Sequence, residues 1–389
     1  MSTYFDHNAT TPVAPEVVAA MAEALASTFG NASSVHAYGQ RAKAAIDEAR
    51  ASVATLIGAE AAEVVFTAGG TEADNFALRG AAETLEARGR KRLVTSTIEH
   101  EAVLNTCRHL ARRGYDWATV PVTTAGVVMT AELEGLLTPE TAIVSVMHAN
   151  NEIGTIQPVA DLAAMARARG ALFHTDAVQT VGKLPVDVRA LGVDLLSLSA
   201  HKFNGPKGVG ALWIRRGVRL APILTGGRHE RNRRAGTENV AAIVGLGVAA
   251  RLALRHLREE AARLEALRDR LEGGVLTTVP GTVVNGGGAP RVPNTTNISF
   301  TGVEAESLLI ALDLEGVAVS TGSACSSGSL EPSHVLKAMH LPSGRAHNAI
   351  RFSLGTDNTA EQVDRVVGLL PAVVEKLRSL TRLPAGAGA

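Results

Sequence analysis

The sequence predicts an α/β protein with a mainly parallel central sheet flanked by helices, followed by a smaller α+β domain. Three observations carry that expectation. Short β-rich runs alternate with helical stretches from about residue 60 to 215; a long Ala/Leu/Arg-rich segment then leads away from them; and beyond a Gly/Pro-rich connector the pattern turns mixed. Strands alternating with helices imply βαβ units, whose crossovers leave neighbouring strands parallel.

Taken in order, the β-rich runs are "EVVFT" (63–67), "RLVTS" (92–96), "AIVSVM" (142–147), "ALFHTDA" (171–177), "DLLSLS" (194–199) and "GALWI" (210–214). A helix is expected over 160–170, closed by Gly170, because glycine takes the left-handed conformation that ends helices. Residues 239–272 read as one bent helix or two consecutive ones. "VNGGGAPRVPN" (284–294) is a connector, after which come "NISF", a helix near 304–314, "VAVS", a Ser/Gly-rich loop and a last helix near 359–380. The large domain is expected over residues 12–255. The small domain takes 1–11 and 256–389, with the loop at 320–333, and only the tail "LPAGAGA" reads as disordered.

The 389 residues can bury a large core, and 46% hydrophobic with 20% charged residues is ordinary for a folded protein. Lys+Arg and Asp+Glu both number 38, so no global charge favours nucleic acid or an anionic membrane. No run is expected to supply the roughly 18 apolar residues that span a bilayer, and the start has no secretory pattern. Only two cysteines occur, Cys107 and Cys325, which argues against a disulfide framework and for a reducing, cytoplasmic setting.

Three blocks carry chemistry. In "VDLLSLSAHKFNGPKGVGALWI" (193–214) a strand ends in Ser199, Ala200, His201 and Lys202. Ligands of open α/β sheets bind at the carboxyl ends of strands, where a partly desolvated lysine forms Schiff bases. A solvated turn lysine such as Lys207 is the plain alternative. In "FTAGGTEADNFALRG" (66–80) a strand runs through Gly70 and Thr71 into a helix, whose free N–H groups suit a phosphate; a generic βα turn reads equally well. In "HTDAVQTVGK" (174–183) Asp176 ends a buried-looking strand. Paired with a pyridinium nitrogen it would hold that ring protonated, with Gln179 placed for a ring hydroxyl; a salt bridge is the default. Together the three are the parts that pyridoxal 5′-phosphate requires.

The chain resembles the class V aminotransferases, fold-type I enzymes that depend on pyridoxal phosphate, and within them the NifS/IscS-like cysteine desulfurases. The resemblance rests on the lysine block above and on "DHNATTP" (6–12), "FGNASSVHAYG" (29–39), "TSTIEHEAVL" (95–104), "MHANNEIGTIQP" (147–158), "RRAGTENVAAIVG" (233–245), "STGSACSSGSLEPSHVL" (320–336) and "IRFSLG" (350–355). It implies that Lys202 holds the cofactor, His100 stacks on its ring, Asp176 and Gln179 meet the ring nitrogen and hydroxyl, and Gly70, Thr71, Ser199 and His201 hold the phosphate. Thr237 would reach the phosphate of a second subunit, making a homodimer. Asn151 would sit by ring and substrate, and Arg351 would clamp the carboxylate of L-cysteine. The implied reaction moves the substrate sulfur to Cys325 as a persulfide, releases L-alanine, and passes the sulfur to an acceptor or iron–sulfur scaffold protein. The wording of 174–179 and 233–239 leans toward the nitrogen-fixation-type branch.

A related class V aminotransferase or selenocysteine lyase would share Lys202, Asp176 and His100 and give Cys325 no essential role. A degenerate sulfur carrier would be a non-enzymatic rival. The basic run 226–234 has no interleaved aromatics, against nucleic-acid binding. His334, His340 and His347 fit no standard zinc spacing, so no metal is expected beyond a transient iron–sulfur contact at Cys325. Cys107 reads as an ordinary helical thiol.

The Gly and Ser residues around Cys325 give backbone freedom without an apolar anchor, the composition of a delivery arm. Proline at Ser326 or Ser327 should therefore slow sulfur transfer to an acceptor more than it weakens cofactor binding. Equal losses in a transfer assay and a cofactor titration would refute that reading.

Overall fold

The computed structural model describes residues 2–321 and 332–381; Cys325, most of its loop and the tail "LPAGAGA" lie outside the described residues. The chain opens with strand β1 (Thr3–Tyr4) and helices α1 (Pro15–Ser27) and α2 (Ala37–Leu56). Then β2 (Val64–Thr67), α3 (Gly70–Glu86), β3 (Arg92–Ser96), α4 (Glu101–Ala111), β4 (Asp116–Val120), α5 (Thr130–Leu136), β5 (Thr141–Ser145), α6 (Val159–Ala168), β6 (Leu172–Asp176), α7 (Val188–Leu191), β7 (Leu195–Ser199) and β8 (Gly210–Ile214) follow. After α8 (Val240–Thr278) come β9 (Thr282–Asn285), β10 (Thr295–Phe300), α9 (Ala305–Leu314), β11 (Val317–Ala318), α10 (His334–Ala338), α11 (Ser343–His347), β12 (Ala349–Ser353) and α12 (Ala360–Thr381).

The main sheet runs β2-β8-β7-β6-β5-β3-β4. Its pairs from β4 through β7 are parallel, and only β8 runs antiparallel, to both β7 and β2. Successive strand residues point to opposite faces, and the cores follow that alternation. Leu196, Val144 and Trp213 face a cluster with α2, α6 and α8, while Leu195, Ile143 and Leu212 face one with α3 and α4. Strand β4 was not legible in the sequence, because as an edge strand it fully buries only Val120 and lacks the apolar run of a strand buried on both faces.

A separate antiparallel sheet, β12-β10-β9, builds the second core with α9 and α12. The N-terminal β1 pairs with β11, and Phe5 is fully buried in this second core. The same segment reaches back to the main sheet, where Thr11 N–H donates to the His201 carbonyl at 2.9 Å.

One uninterrupted helix, α8, joins the cores. Its Ile243, Leu246 and Ala249 belong to the first and Leu264, Leu271 and Val275 to the second. Its 39 residues make it about 58 Å long. By length and composition this helix could cross a membrane, which corrects the expectation that no run qualifies; half of its most apolar window is buried inside the protein, where α8 packs on α1 and α2.

That packing is close. A Cβ added at Gly247 would lie 2.6 Å from the Ala49 Cα and 2.7 Å from its Cβ, so α2 and α8 meet backbone to backbone. Alanine normally stabilises a helix interior by up to about 1 kcal/mol over glycine. Gly247→Ala should reverse that sign and cost about 1–3 kcal/mol through overpacking. Denaturant unfolding tests it: a variant at least as stable as wild type would mean that the two helices separate without cost.

Candidate active site

A cavity of about 340 Å³ opens where the carboxyl ends of β6 and β7 meet the starts of α3 and α4 and the edge of the small sheet. Gly70, Thr71, His100, Asn151, Asp176, Gln179, Ser199, His201, Lys202 and Arg351 all line it. Ten positions singled out in sequence, spread over 282 residues of chain, thus share one wall. Thr237 does not: it is exposed and lines no part of this cavity. Cys325 lies outside the described residues.

The lysine wall follows from β7. The strand is buried along its whole length and ends in a single 3-10 turn, Ala200–Lys202, which turns the Lys202 side chain into the cavity. Its Nζ donates to the carbonyls of Asn8 (2.6 Å) and Ala9 (2.9 Å). Next to it His201 Nδ1 lies 3.2 Å from Thr10 Oγ1, and burial, with Lys202 and Lys207 nearby, holds the imidazole down at about 4. At neutral pH it is an uncharged ring.

Helix α3 starts at Gly70 without any side-chain cap. A Cβ there would sit 2.9 Å from Val178 Cγ2 and 3.5 Å from Ser199 Cβ, so glycine is what lets the turn close on β6 and β7. The uncapped N–H groups, the helix dipole and the Ser199 hydroxyl form a donor set for an anion.

His100 is the N-cap of α4, its Nδ1 accepting from the Ala102 N–H at 3.1 Å. That bond leaves the proton of the neutral ring on Nε2. Burial lowers its pKa, with Asp176 opposing the shift. Asp176, at the end of β6, accepts from the Val178 N–H at 2.9 Å. Burial raises its pKa, while His100 and Lys202 favour the charged form.

Beneath Asp176 lies a buried acid cluster that was not read from the sequence. Asp74 is 1% exposed, and burial, with Asp176 beside it, drives its pKa well above the ordinary value. Glu99 is fully buried; burial pushes it up to about 8, although Ser96 and the Met147 N–H donate to it. His174, between Ser145 (2.8 Å) and Ser197 (2.9 Å), is held neutral by burial at about 3. Burial favours the neutral form of all three acids, and only at Asp176 do neighbouring bases, His100 and Lys202, oppose it. The available signal was position: Asp74 falls one turn into the apolar face of α3, where a carboxylate needs a reason.

Asn8, also missed, is the hub on the other side. Its carbonyl accepts from Gln179 Nε2 at 3.1 Å as well as from Lys202, and its Oδ1 accepts from Lys183 Nζ at 3.0 Å. Lys183 donates to Gln179 Oε1 at 2.8 Å, which fixes the amide orientation; burial and Lys202 lower its pKa well below the ordinary value. Arg351 enters from β12, its Nη1 donating to the Asn151 carbonyl at 3.1 Å and Nη2 to Asp6 Oδ1 at 2.6 Å.

Cys107 is fully buried in α4, and burial pushes its thiol up to about 12. Among the described residues no group of three His, Cys, Asp or Glu side chains is placed to hold a metal.

The aminotransferase class-V family model matches residues 3–366. A cysteine desulfurase of Gluconacetobacter diazotrophicus is 51% identical over 390 aligned positions, covering 100% of this chain and 97% of the relative. The cysteine desulfurase IscS of Dictyoglomus turgidum is 49% identical, covering 97% and 96%. The solved structure of a NifS-like protein superposes with a TM-score of 0.91 at 39% identity, covering 97% of this chain and all of the other.

Glu99 titrates at about 8 in the folded chain against 4.5 for an ordinary glutamate. Its stabilising contribution is therefore complete below the unfolded value and is lost as pH rises toward the folded one. Between about pH 6 and pH 9 the wild type should lose about 2–3 kcal/mol on this account. Glu99→Gln, neutral throughout, should not. Identical losses in both proteins, read from unfolding curves at the two pH values, would show that Glu99 is already ionised at pH 6.

Proposed function

Because the chain belongs to the class-V aminotransferase family, and within it to the cysteine desulfurases, we propose that it removes the sulfur of L-cysteine and releases L-alanine, with pyridoxal 5′-phosphate as cofactor and Cys325 as first sulfur acceptor. The observation that carries this reading is the convergence of Lys202, Asp176, the uncapped start of α3 and Arg351 on one cavity.

The residues fit the cofactor. The bare turn at Gly70, with Thr71, Ser199 and His201, offers hydrogen-bond donors to a phosphate, while Glu72 in the same turn is engaged by the Ala68 N–H and Arg234. Asp176 is a buried carboxyl group whose charged form burial disfavours and His100 and Lys202 favour, and a pyridinium nitrogen would supply the missing counter-charge. Gln179 and Asn151 would meet the ring hydroxyl, His100 would cover the ring face, and Lys202 Nζ would hold the group covalently. When bound, the cofactor supplies an electron sink for the pair left at the substrate Cα.

The chain's own residues do the rest. Arg351 binds the substrate carboxylate. Lys202 Nζ, released from its carbonyl contacts, takes the Cα proton. His100, with its proton on Nε2, relays protons to and from the substrate thiol. The Cys325 thiolate attacks the substrate sulfur; an S–S bond forms, the Cβ–S bond breaks, and its electron pair goes to Cβ, which is protonated on the way to alanine. Cys325 then passes the persulfide sulfur to an acceptor, such as an iron–sulfur scaffold protein.

We further propose a homodimer working in the cytoplasm. Support comes from an exposed apolar patch, Phe29, Val35 and Tyr38, and from the nearby segment that carries Thr237. That segment is braced by a buried Arg50–Glu230 pair, both N–O distances 2.7 Å. We also propose a large domain over 12–255 and a small one over 1–11 and 256–389; the two cores support the division, except that Val335, Leu336, Met339, Ala346 and Ala349 pack on the first core.

Incubation with L-cysteine and a reductant, with alanine and sulfide assayed together, tests the reading. Wild type should yield both in equal amounts. Cys325→Ser should lose about two orders of magnitude of sulfide formation while keeping the visible band of the lysine-bound cofactor. Amino-group exchange dependent on a keto acid, without sulfide, would instead make this an aminotransferase.

A further inference from the structure

The arginine assigned to the substrate carboxylate already has a carboxylate. Arg351 is 3% exposed and its Nη2 meets Asp6 Oδ1 at 2.6 Å. Nη1 is held by the Asn151 carbonyl, and Nε has no hydrogen-bond partner among the described residues. Asp6 is rigidly placed. Phe5 N–H donates to Ala318 at 2.8 Å and His7 N–H to Ser353 at 3.0 Å, so the backbone on either side is pinned to β11 and β12. The contact is single, with one Asp6 oxygen on one guanidinium nitrogen, which leaves donors of the fork for a second carboxylate.

A buried guanidinium without a counter-ion is strongly unfavourable. A substrate carboxylate would satisfy Arg351 only while it is bound. Asp6 supplies the charge at other times, but at a cost to any incoming anion, because two carboxylates then share one cation. An amino acid that is also anchored through its amine can bear this repulsion. A plain acid of the same size cannot.

We propose that Asp6 is a specificity-determining residue that holds Arg351 in place between turnovers and, through its charge, makes the site reject carboxylates that lack an amine. The proposal rests on the reading that Arg351 grips the substrate carboxylate. Asp6 acts through Arg351 and is a positioning residue.

The probe is 3-mercaptopropionate, which is L-cysteine without its amino group, titrated calorimetrically into the cofactor-loaded enzyme. Asp6→Asn keeps the size and an acceptor oxygen and removes the charge. It should bind the probe about tenfold more tightly than wild type, while the KM for L-cysteine falls only about threefold, so selectivity for the amino acid shrinks. Asp6→Ala should also bind the probe more tightly than wild type, though less tightly than Asp6→Asn, because the guanidinium loses a fixed contact. A merely structural role for Asp6 predicts weaker binding of both ligands in both variants, and that result overturns the proposal. Arg351→Gln separates the two readings. If it leaves the KM for L-cysteine unchanged, the carboxylate assignment of Arg351 itself fails. If it raises that KM while Asp6→Asn does not tighten the probe, only the role of Asp6 fails.

Discussion

The contact on which the site depends is the one between the Lys202 amine and two backbone carbonyls, those of Asn8 and Ala9. It draws the first dozen residues of the chain across the mouth of a sheet to which they do not belong. Asn8 then ties in Gln179, Lys183, Asn294 and Thr295, so one short segment sets the positions of side chains from both sheets. Carbonyl oxygens accept the hydrogens of an amine without competing for its proton.

Around that contact the dominant problem is buried charge. Lys202, Lys183, Arg351, Asp176, Asp74 and Glu99 lie in or next to a poorly solvated cavity. Desolvation pushes the acids up and Lys183 down, so most of these groups are driven toward neutrality. Asp176 differs, having two bases beside it that favour its charge. A cationic group bound against Asp176 would tip that balance toward its carboxylate.

Mechanical continuity comes from α8. Because both hydrophobic cores close on the same helix, the sheet that presents Lys202 and the sheet that presents Arg351 are joined through a rigid element as well as through the N-terminal segment. The backbone contact at Gly247 and Ala49 belongs to the same arrangement: it sets the depth at which the helix lies on the large domain.

Much of this was legible in the linear chain. Strands β2, β3, β5, β6, β7 and β8 stood out because buried strands are apolar runs bounded by turn residues. Lys202, Asp176 and Gly70 stood out because polar or conformationally free residues at strand ends need a chemical reason. Gln179 followed from its spacing to Asp176, and recurrence in familiar blocks added His100, Asn151 and Arg351. The exposed edge strand β4 escaped notice, as did the continuity of α8, since sequence periodicity cannot separate one long helix from two. Pairwise placement was also beyond reach. That Asp6 meets Arg351, that Asp74 lies against Asp176, and that Asn8 joins two lysines are contacts across 345, 102 and up to 194 residues of chain. Hydrophobic pattern and turn chemistry are local and determine elements; the pairing of buried charges depends on which elements the closed cores bring together, and only the tertiary structure decides that.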